Sequence, residues 1–367
     1  MKVLHLISGG ETGGSRKHVI TLLSKFPKDQ VVLAVFQEGA LAEEARKAGI
    51  RVELFLQSSR YDLSILKRLV AFIKSEKFDI IHTHGPRANL FGIYLHKKTK
   101  VKWLTTVHSD PSLDFIKSGV KGRVFTNLHL YAVKKMDYYF AVSERFKENL
   151  IKLGIERDKV QTVYNGIDFT EEKAEPLSLG DMGVNDTDFV MTMVARLHPI
   201  KGHDIVFNAL KNINNPSVKL LLVGDGPIQK ELEKMVQDLN LRNQVYFLGF
   251  RHDVDQLYAS SHLGLLASHS ESFPLALLEA ANQRVPILTT DVGGVGELVS
   301  PKETGWIVPV KDTKAYEMAI RDALACYQDN QLSGMGEKLY DYASTTFSLE
   351  NLYKTTKQVY FDLIDKN

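Results

Sequence analysis

A polar stretch that runs directly into a helical pattern places two carboxylates near one helix start. It reads Ser-His-Ser-Glu-Ser-Phe-Pro-Leu-Ala-Leu-Leu-Glu-Ala-Ala over residues 268–281, with leucines and alanines at helical spacing in its second half. Pro274 suits the first turn of a helix, where its missing N–H costs no hydrogen bond. We therefore expect Glu271 and Ser272 in the loop before the helix, and Glu279 about a turn and a half inside it.

A ligand held at this helix start must carry two kinds of group. The free N–H groups and the positive dipole end of a helix N-terminus attract an anion such as phosphate. Because a carboxylate repels phosphate, Glu271 and Glu279 are expected to accept hydrogen bonds from neutral hydroxyls beside the anion. The stretch therefore predicts a ligand with both hydroxyls and phosphate, such as a nucleotide sugar.

Two further loops have groups suited to phosphate. Arg196 and Lys201 flank a strand-to-helix loop, where a diphosphate would take two charge-assisted contacts, although such residues also form ordinary surface salt bridges. Gly13 and Gly14 belong to a four-glycine loop, residues 8–15, between the first apolar run and the first helical pattern. Glycines let a backbone approach a ligand closely, but a plain tight turn has the same composition.

Apolar strand-like runs alternate with helical patterns along the chain, which predicts α/β domains with parallel sheets. At 367 residues the chain is long for one core, so two domains are expected. The polar residues 169–187 are the predicted linker between a first domain, 1–168, and a second domain, 188–347. Residues 348–367 form a separate helical pattern. In open sheets of this kind, ligands bind at the C-terminal ends of the strands.

Three histidines are expected at that edge of the first sheet. One strand is predicted to end at His82, with His84 in the loop that follows, and another strand brings His108 to the same rim. Together they could suggest a metal, but no carboxylate or cysteine recurs among them at ligand spacing. A histidine that donates a hydrogen bond to a ligand is therefore favoured over a metal site.

The net charge of +2 conceals an asymmetry between the two halves. Residues 1–168 carry 28 Lys and Arg against 17 Asp and Glu, while the remainder carries 18 against 27. This predicts an anionic partner for the first half, such as a membrane surface, a phosphorylated lipid or an acidic polymer, with a solvated basic face as the alternative. Residues 112–136, which include Lys117, Lys121 and Arg123, resemble a membrane-surface or anionic-acceptor face, although a core helix with snorkelling lysines would look similar.

The remaining composition is that of an ordinary globular protein. No apolar run approaches the roughly 20 residues that span a bilayer, and the apolar run at the N-terminus is too short for a signal peptide. The single cysteine, Cys326, allows no intrachain disulfide, so we expect a cytoplasmic protein. A Rossmann dehydrogenase is disfavoured because neither half has the Gly-x-Gly-x-x-Gly turn. Nucleic acid is not an expected partner.

With these residues placed, the chain resembles the family 4 retaining glycosyltransferases of the GT-B type, bacterial glycan-assembly enzymes among them, over nearly its whole length. The most specific likeness is the Glu271–Glu279 pair together with the loop that holds Arg196 and Lys201. The other matching pieces are the Gly13-Gly14 loop, residues 79–84, Val107-His108, residues 165–168, residues 224–227 and residues 291–294.

The resemblance implies two Rossmann-like, doubly wound parallel-sheet domains that face one another across a cleft. The acceptor would bind the N-terminal domain and the nucleotide sugar the C-terminal one, while the last helix crosses back to the N-terminal domain. The implied catalytic residues are His108, Arg196, Lys201 and Glu271. The implied donor-binding residues are Gly13, Gly14, Gly224, Arg251, Ser272, Phe273, Pro274, Leu275 and Glu279, and those on the acceptor side are His82, His84, Lys117, Lys121 and Arg123. Pro274 stands where many relatives have glycine, so one amide donor is absent.

On this resemblance the chain moves a hexosyl group, with retention, from a nucleotide sugar to a hydroxyl of a cell-surface glycan, lipid-linked or anionic polymer precursor. UDP is the expected nucleotide, no metal or other cofactor is required, and the inner face of the plasma membrane is a possible location. Arg196 and Lys201 would hold the diphosphate, and the reaction would be a front-face substitution, with Glu271 as a nucleophile the alternative. A GT-B nucleotide-sugar epimerase and a non-catalytic nucleotide-sugar-binding module are the rival functions.

Overall fold

The computed structural model describes residues 1–11, 13–57, 62–109 and 119–365, with the backbone alone for residues 119–121. The chain folds as two compact units. The first comprises Met1–Gly166 with Leu349–Asn367, and the second comprises Ile167–Ser348.

The first unit begins with a run of alternating strands and helices. In chain order these are β1 (Val3–Ile7), α1 (Gly14–Ser24), β2 (Val31–Val35), α2 (Ala40–Lys47), β3 (Arg51–Leu54), α3 (Ile65–Glu76), β4 (Ile80–His84), α4 (Pro86–Thr99), β5 (Lys102–Val107), α5 (Gly119–Val133), β6 (Tyr138–Ala141), α6 (Glu144–Lys152) and β7 (Val160–Thr162).

The second unit repeats the alternation. Its elements are β8 (Phe189–Val194), α7 (His203–Ile213), β9 (Val218–Val223), α8 (Gln229–Asp238), β10 (Val245–Phe247), α9 (Val254–Ala259), β11 (Leu263–Leu266), α10 (Leu275–Asn282), β12 (Ile287–Thr290), α11 (Val295–Leu298), β13 (Gly305–Val308), α12 (Thr313–Gln328) and α13 (Leu332–Thr346). The last helix, α14 (Leu349–Asp365), belongs to the first unit.

Both sheets are parallel and doubly wound, as predicted. In the described chain their strand orders are β3-β2-β1-β4-β5-β6-β7 and β10-β9-β8-β11-β12-β13. The strand order reverses between β1 and β4 in the first sheet and between β8 and β11 in the second. Strands such as Val31–Val35 and Val218–Val223 are buried along their length, since helices cover both faces. Loops after β8 and β11 therefore border the position where such sheets bind ligands.

Helix α14 packs on the first unit through an apolar face. Leu352, Val359 and Leu363 are buried in the core that α1, β1 and β2 also line. The rings of Tyr353 and Tyr360 approach the ring of Phe26, with centroids 4.8 Å and 5.9 Å away. Burial of these side chains attaches the C-terminal helix to the unit that contains the N-terminus.

The predicted linker, residues 169–187, packs against the second unit. Leu179 and Val184 are buried against the second unit, beside Val190 and Leu257. Backbone N–H groups of this segment also donate to side chains of the same unit, as Thr170 does to Asn282 Oδ1 at 2.9 Å. The polar composition of the segment concealed the few apolar side chains that fasten it.

Two helix starts differ in their caps. Ser143 Oγ accepts a hydrogen bond from the Phe146 N–H at 3.3 Å and so caps α6. Pro274, expected in the first turn of its helix, instead precedes α10 in an extended conformation.

Candidate functional site

The loops after β8 and β11 bring Lys201 and Glu271 together in the second unit. The Lys201 ammonium forms an ion pair with Glu271 Oε1, and Ser268 Oγ donates a hydrogen bond to the same oxygen at 2.7 Å. Only 17% of the Lys201 side chain and 14% of the Glu271 side chain are exposed. Two of the predicted catalytic residues are thus neighbours, 70 positions apart in sequence.

The backbones of the same two loops are in direct contact. The His269 N–H donates to the Ile200 carbonyl at 2.7 Å. Gly202, with φ of 67°, lies so close to Ala267 that a Cβ would come within 2.1 Å of the carbonyl oxygen. Any side chain at Gly202 would separate the loops, so the glycine allows Lys201 to reach Glu271.

Two further loops, after β9 and after β12, pack on the loops that hold Lys201 and Glu271. After β9, the Leu197 N–H donates to the Asp225 carbonyl at 2.7 Å, and a Cβ on Gly224 would lie 2.1 Å from the Ala195 carbonyl oxygen. After β12, the Gly294 N–H donates to the Ser272 carbonyl at 2.9 Å. The predicted binding residues Gly224 and Ser272 therefore belong to one set of mutually braced loops.

The two arginines predicted to bind the donor lie in different electrostatic settings. Arg196 is exposed, and its guanidinium makes no ion pair with any described residue. Arg251 pairs with Asp253, at 2.8 Å from its Nε to the Asp253 Oδ1. This hydrogen bond raises the pKa of Arg251 and lowers the pKa of Asp253. Arg196 therefore offers an uncompensated charge, whereas Arg251 is held by a local carboxylate.

At the start of α10, only some of the predicted donor-binding residues have side chains that a ligand could reach. Phe273 is buried, with its ring centroid 5.0 Å from that of Phe347, and Leu275 is buried as well. Contacts from these two residues to a ligand would therefore come from backbone groups. Glu279 is half-buried on the helix, and its charge adds to burial in raising the pKa of the Tyr258 hydroxyl.

In the first unit, the structure corrects the predicted environment of two histidines. Strand β4 runs through His84 and does not end at His82. His82 is fully buried, and His84 is 2% exposed. Their ring nitrogens hydrogen-bond to other side chains of the first unit, so neither presents a group to an acceptor. His108 is half-buried after β5, with its Nε2 3.3 Å from His84 Nδ1.

The other predicted positions of the first unit differ in how much the structure describes. Gly14 opens α1 and Gly13 precedes it, and no described atom lies within 4 Å of a Cβ placed on either. Arg123 is exposed on α5. Lys117 lies outside the described residues, as does the side chain of Lys121. No helix in the described ranges is long and apolar enough to span a bilayer.

Three residues that contact or adjoin the predicted site residues were not predicted from the sequence. His203 opens α7, directly after the turn that holds Lys201, and burial together with the Lys201 charge lowers its pKa to about 4. His5 and Tyr360 contact His82 or His84 although they lie at opposite ends of the chain. A signal for this cluster was available, because His-Thr-His on a strand places both imidazoles on one face. The ring nitrogens of His5, His82 and His84 lie within 4.8 Å of one another, which is close enough to consider a metal.

Comparisons with known proteins agree with this fold. Residues 179–341 match the family described as glycosyl transferases group 1, and residues 12–171 match glycosyltransferase family 4. The N-acetyl-alpha-D-glucosaminyl L-malate synthase of Bacillus anthracis is 30% identical over 84% of this chain and 81% of its own length. The UDP-Gal:alpha-D-GlcNAc-diphosphoundecaprenol alpha-1,3-galactosyltransferase of Escherichia coli is 28% identical over 83% and 80%.

A solved structure resembles the whole chain. The Anabaena protein HepE, in complex with UDP and glucose, superposes with a TM-score of 0.83 at 25% identity, over 98% of this chain and 99% of its own. The fold, the paired loops and these matches define a glycosyltransferase that uses a nucleotide sugar. The chain belongs to glycosyltransferase family 4 and has the GT-B fold.

Proposed function

We propose that this glycosyltransferase moves a hexosyl group from a UDP-sugar to a hydroxyl of a cell-envelope glycan or lipid-linked precursor, with retention and without a metal. The observation that carries the proposal is the Lys201–Glu271 pair together with the exposed Arg196, which follows the same strand as Lys201. Two cations and a carboxylate at one sheet edge suit a diphosphate joined to a sugar. The HepE complex contains UDP and glucose, and the Escherichia coli relative is named for a diphosphoundecaprenol acceptor.

In the proposed reaction the bond between the anomeric carbon and the UDP oxygen breaks as the acceptor oxygen attacks the same face. The acceptor proton passes to the departing phosphate oxygen, so no separate base is needed. Arg196 and Lys201 stabilise the negative charge that grows on the diphosphate. Glu271 holds the Lys201 ammonium in place and accepts a hydrogen bond from a sugar hydroxyl.

A thermal-shift panel of nucleoside diphosphates and their sugars tests the donor. A ligand that binds only the folded state stabilises it by about 2.7 kcal/mol at a concentration of 100 Kd. We expect UDP and one or more UDP-hexoses to raise the Tm, and the matching hexose to be transferred with release of UDP. Larger shifts with another nucleotide series would reject UDP, and consumption of the donor without any acceptor would indicate an epimerase.

Glu271→Gln tests the assignment of Glu271 as a hydrogen-bond acceptor. The amide keeps the shape and loses the charge that pairs with Lys201, so kcat should fall about ten- to a hundredfold, the loss of one charge-assisted hydrogen bond. Steady-state rates with the UDP-sugar measure this, and Glu231→Gln, an exposed carboxylate of α8, is the matched control. A loss beyond about 10⁴-fold would favour a covalent nucleophile instead.

The exposed face of α5 tests the proposed contact with an anionic membrane. Val124, Leu128 and Tyr131 are exposed there although they are apolar or aromatic, and Lys134 and Lys135 follow directly. Each basic residue near an anionic surface contributes about 1 kcal/mol to binding. Lys134→Glu with Lys135→Glu should therefore reduce co-sedimentation with anionic vesicles at least about tenfold.

The matched control for this membrane experiment lies in the second unit. Lys230→Glu with Lys234→Glu changes two exposed lysines of α8 by the same charge. This variant should keep the wild-type affinity for anionic vesicles. Equal recovery of the wild type with anionic and neutral vesicles would contradict a charge-dependent membrane contact.

A further inference from the structure

A continuous chain of hydrogen bonds crosses the core of the first unit and ends at His108. It starts at Thr106 Oγ1, which lies 2.7 Å from His82 Nε2, and His82 Nδ1 lies 2.6 Å from the Tyr360 hydroxyl. The hydroxyl is 3.4 Å from His5 Nε2, the longest of the five links.

The chain of hydrogen bonds continues from His5 toward the sheet edge. His5 Nδ1 lies 3.0 Å from His84 Nε2, and His84 Nδ1 lies 3.3 Å from His108 Nε2. His5, His82 and Tyr360 are fully buried, and His84 and Thr106 are each 2% exposed. His108 is the one member that is half-buried, so the chain connects a closed core to a group at the sheet edge.

All four imidazoles point the same way along this chain. Each uses Nε2 toward the Thr106 end and leaves Nδ1 toward the His108 end. A neutral imidazole has one N–H donor and one bare nitrogen acceptor. If the whole chain is hydrogen-bonded, the four rings therefore share one tautomer, either all Nδ1–H or all Nε2–H.

The imidazoles in this chain are neutral. Burial lowers the pKa of His5 to about 3 and those of His82, His84 and His108 well below their usual value. In the described part of the first unit, the titratable neighbours that act on the pKas of His82 and His84 are all histidines. Both ring nitrogens of His5, His82 and His84 hydrogen-bond to other side chains, so a cation bound among these rings would have to displace those bonds.

Thr106 decides between the two tautomers. Its hydroxyl makes no hydrogen bond in the described chain apart from the one with His82. If His82 donated to it, the buried Thr106 O–H would have no acceptor, and an unsatisfied buried donor is costly. If Thr106 donates, only a hydroxyl lone pair stays unused. The favoured direction runs from Thr106 to His108.

We propose that this chain holds His108 as the Nδ1–H tautomer, so that it presents a fixed N–H donor, and that Tyr360 and His84 are positioning residues for it. The hydrogen on one ring nitrogen is set by the bond that the other nitrogen makes. The tautomer assignment stands on the geometry of the first unit alone. Its consequence for catalysis rests on the proposed function, with His108 as the catalytic residue that the family resemblance implies.

Tyr360→Phe should interrupt the chain of hydrogen bonds at its middle. The ring stays and the hydroxyl is lost, so His82 keeps its bond to Thr106 while His5, His84 and His108 lose the directing group. Long-range ¹H–¹⁵N spectra of histidine-labelled protein distinguish the two neutral tautomers. We expect four Nδ1–H rings in the wild type, and a mixture at His108 but not at His82 in the variant.

Tyr353→Phe is the matched control, since it removes a hydroxyl of the same helix whose one hydrogen bond among the described residues comes from Lys357. It should leave all four rings unchanged. Thr106→Val, which keeps the branched shape, should release the tautomer of every ring, including His82. Wild-type rings in the Nε2–H form, an unchanged His108 in Tyr360→Phe, or one equivalent of zinc in the purified protein would each overturn the proposal.

Measured activity gives a second test, and its outcome does not depend on the outcome of the NMR experiment. In Tyr360→Phe, nothing directs His108 toward the Nδ1–H tautomer. If about a half to a tenth of the molecules keep that tautomer, kcat/KM falls about two- to tenfold. Tyr353→Phe should match the wild type. Wild-type protein without UDP-hexose transfer would reject the proposed function and leave the spectra valid, whereas unaltered kcat/KM in a variant with mixed tautomers would reject the catalytic consequence alone.

Discussion

Lys201→Ala is expected to lower kcat/KM about 30- to 1,000-fold, which corresponds to about 2–4 kcal/mol of transition-state stabilisation. The ammonium is mostly buried and paired with Glu271, so its position is set before the substrate arrives. A cation placed in advance stabilises charge that grows on a leaving diphosphate without reorganisation. Removing it also leaves the Glu271 carboxylate unpaired, and that negative charge would then repel the diphosphate.

The two contributions to this loss separate in a double-mutant cycle. Lys201→Ala with Glu271→Gln removes the cation without leaving an uncompensated carboxylate. If repulsion from Glu271 contributes, the double variant will lose less than the sum of the single losses, by about 0.5–3 kcal/mol. Additive losses would mean that Glu271 and Lys201 act separately on the substrate.

Arg196→Ala is expected to lower kcat/KM by a factor in the same range, but without a change in the free energy of unfolding. Arg196 is exposed and makes no ion pair with the described residues, so its loss leaves no buried charge. Lys211→Ala, an exposed lysine of α7, controls for loss of a positive charge from the same unit. Rates within threefold of wild type for both Lys201→Ala and Arg196→Ala would remove the two cations from the reaction.

Much of the second unit could be predicted because local patterns decide its elements. The run Phe189–Val194, apolar except for Thr192, is a strand, since a mostly apolar run of that length suits a strand covered on both faces. The polar loop that holds Glu271, followed by the helical leucines, likewise lies at the start of α10. What the pattern did not contain was the partner of each carboxylate, because the Lys201–Glu271 contact depends on strand order.

The histidine cluster could not be predicted from local sequence patterns. Polar residues after an apolar run usually mark a strand end, so the sequence predicts that this strand ends at His82. The strand instead continues to His84, since the buried imidazoles find partners in His5, Thr106 and Tyr360. Tyr360 lies 278 positions from His82, and no local pattern predicts that contact. Long-range polar partners, more than element types, were the missing information.

Gly202→Ala is expected to destabilise the second unit by about 2–5 kcal/mol. Gly202 has φ of 67°, but a positive φ alone does not forbid a side chain, because Lys77 and Asn214 adopt similar values in this chain. A left-handed conformation costs an ordinary residue about 1–2 kcal/mol. The larger obstacle is the Ala267 carbonyl oxygen, 2.1 Å from where the Cβ would lie. Relieving that overlap means separating the loops after β8 and β11, which costs roughly 1–3 kcal/mol more.

Gly183→Ala separates these two effects. Gly183 has φ of 78° in the same unit, and no described atom lies within 4 Å of a Cβ built on it. It should therefore show only the backbone cost of about 1–2 kcal/mol. Urea unfolding followed through Trp306 in β13, in a Trp103→Phe background, reports on the second unit because the chain has two tryptophans. Equal midpoints for the two alanine variants would show that the loops yield without cost. A lower midpoint for Gly202→Ala, accompanied by loss of donor binding, would show that the contact between these backbones is what holds Lys201 against Glu271.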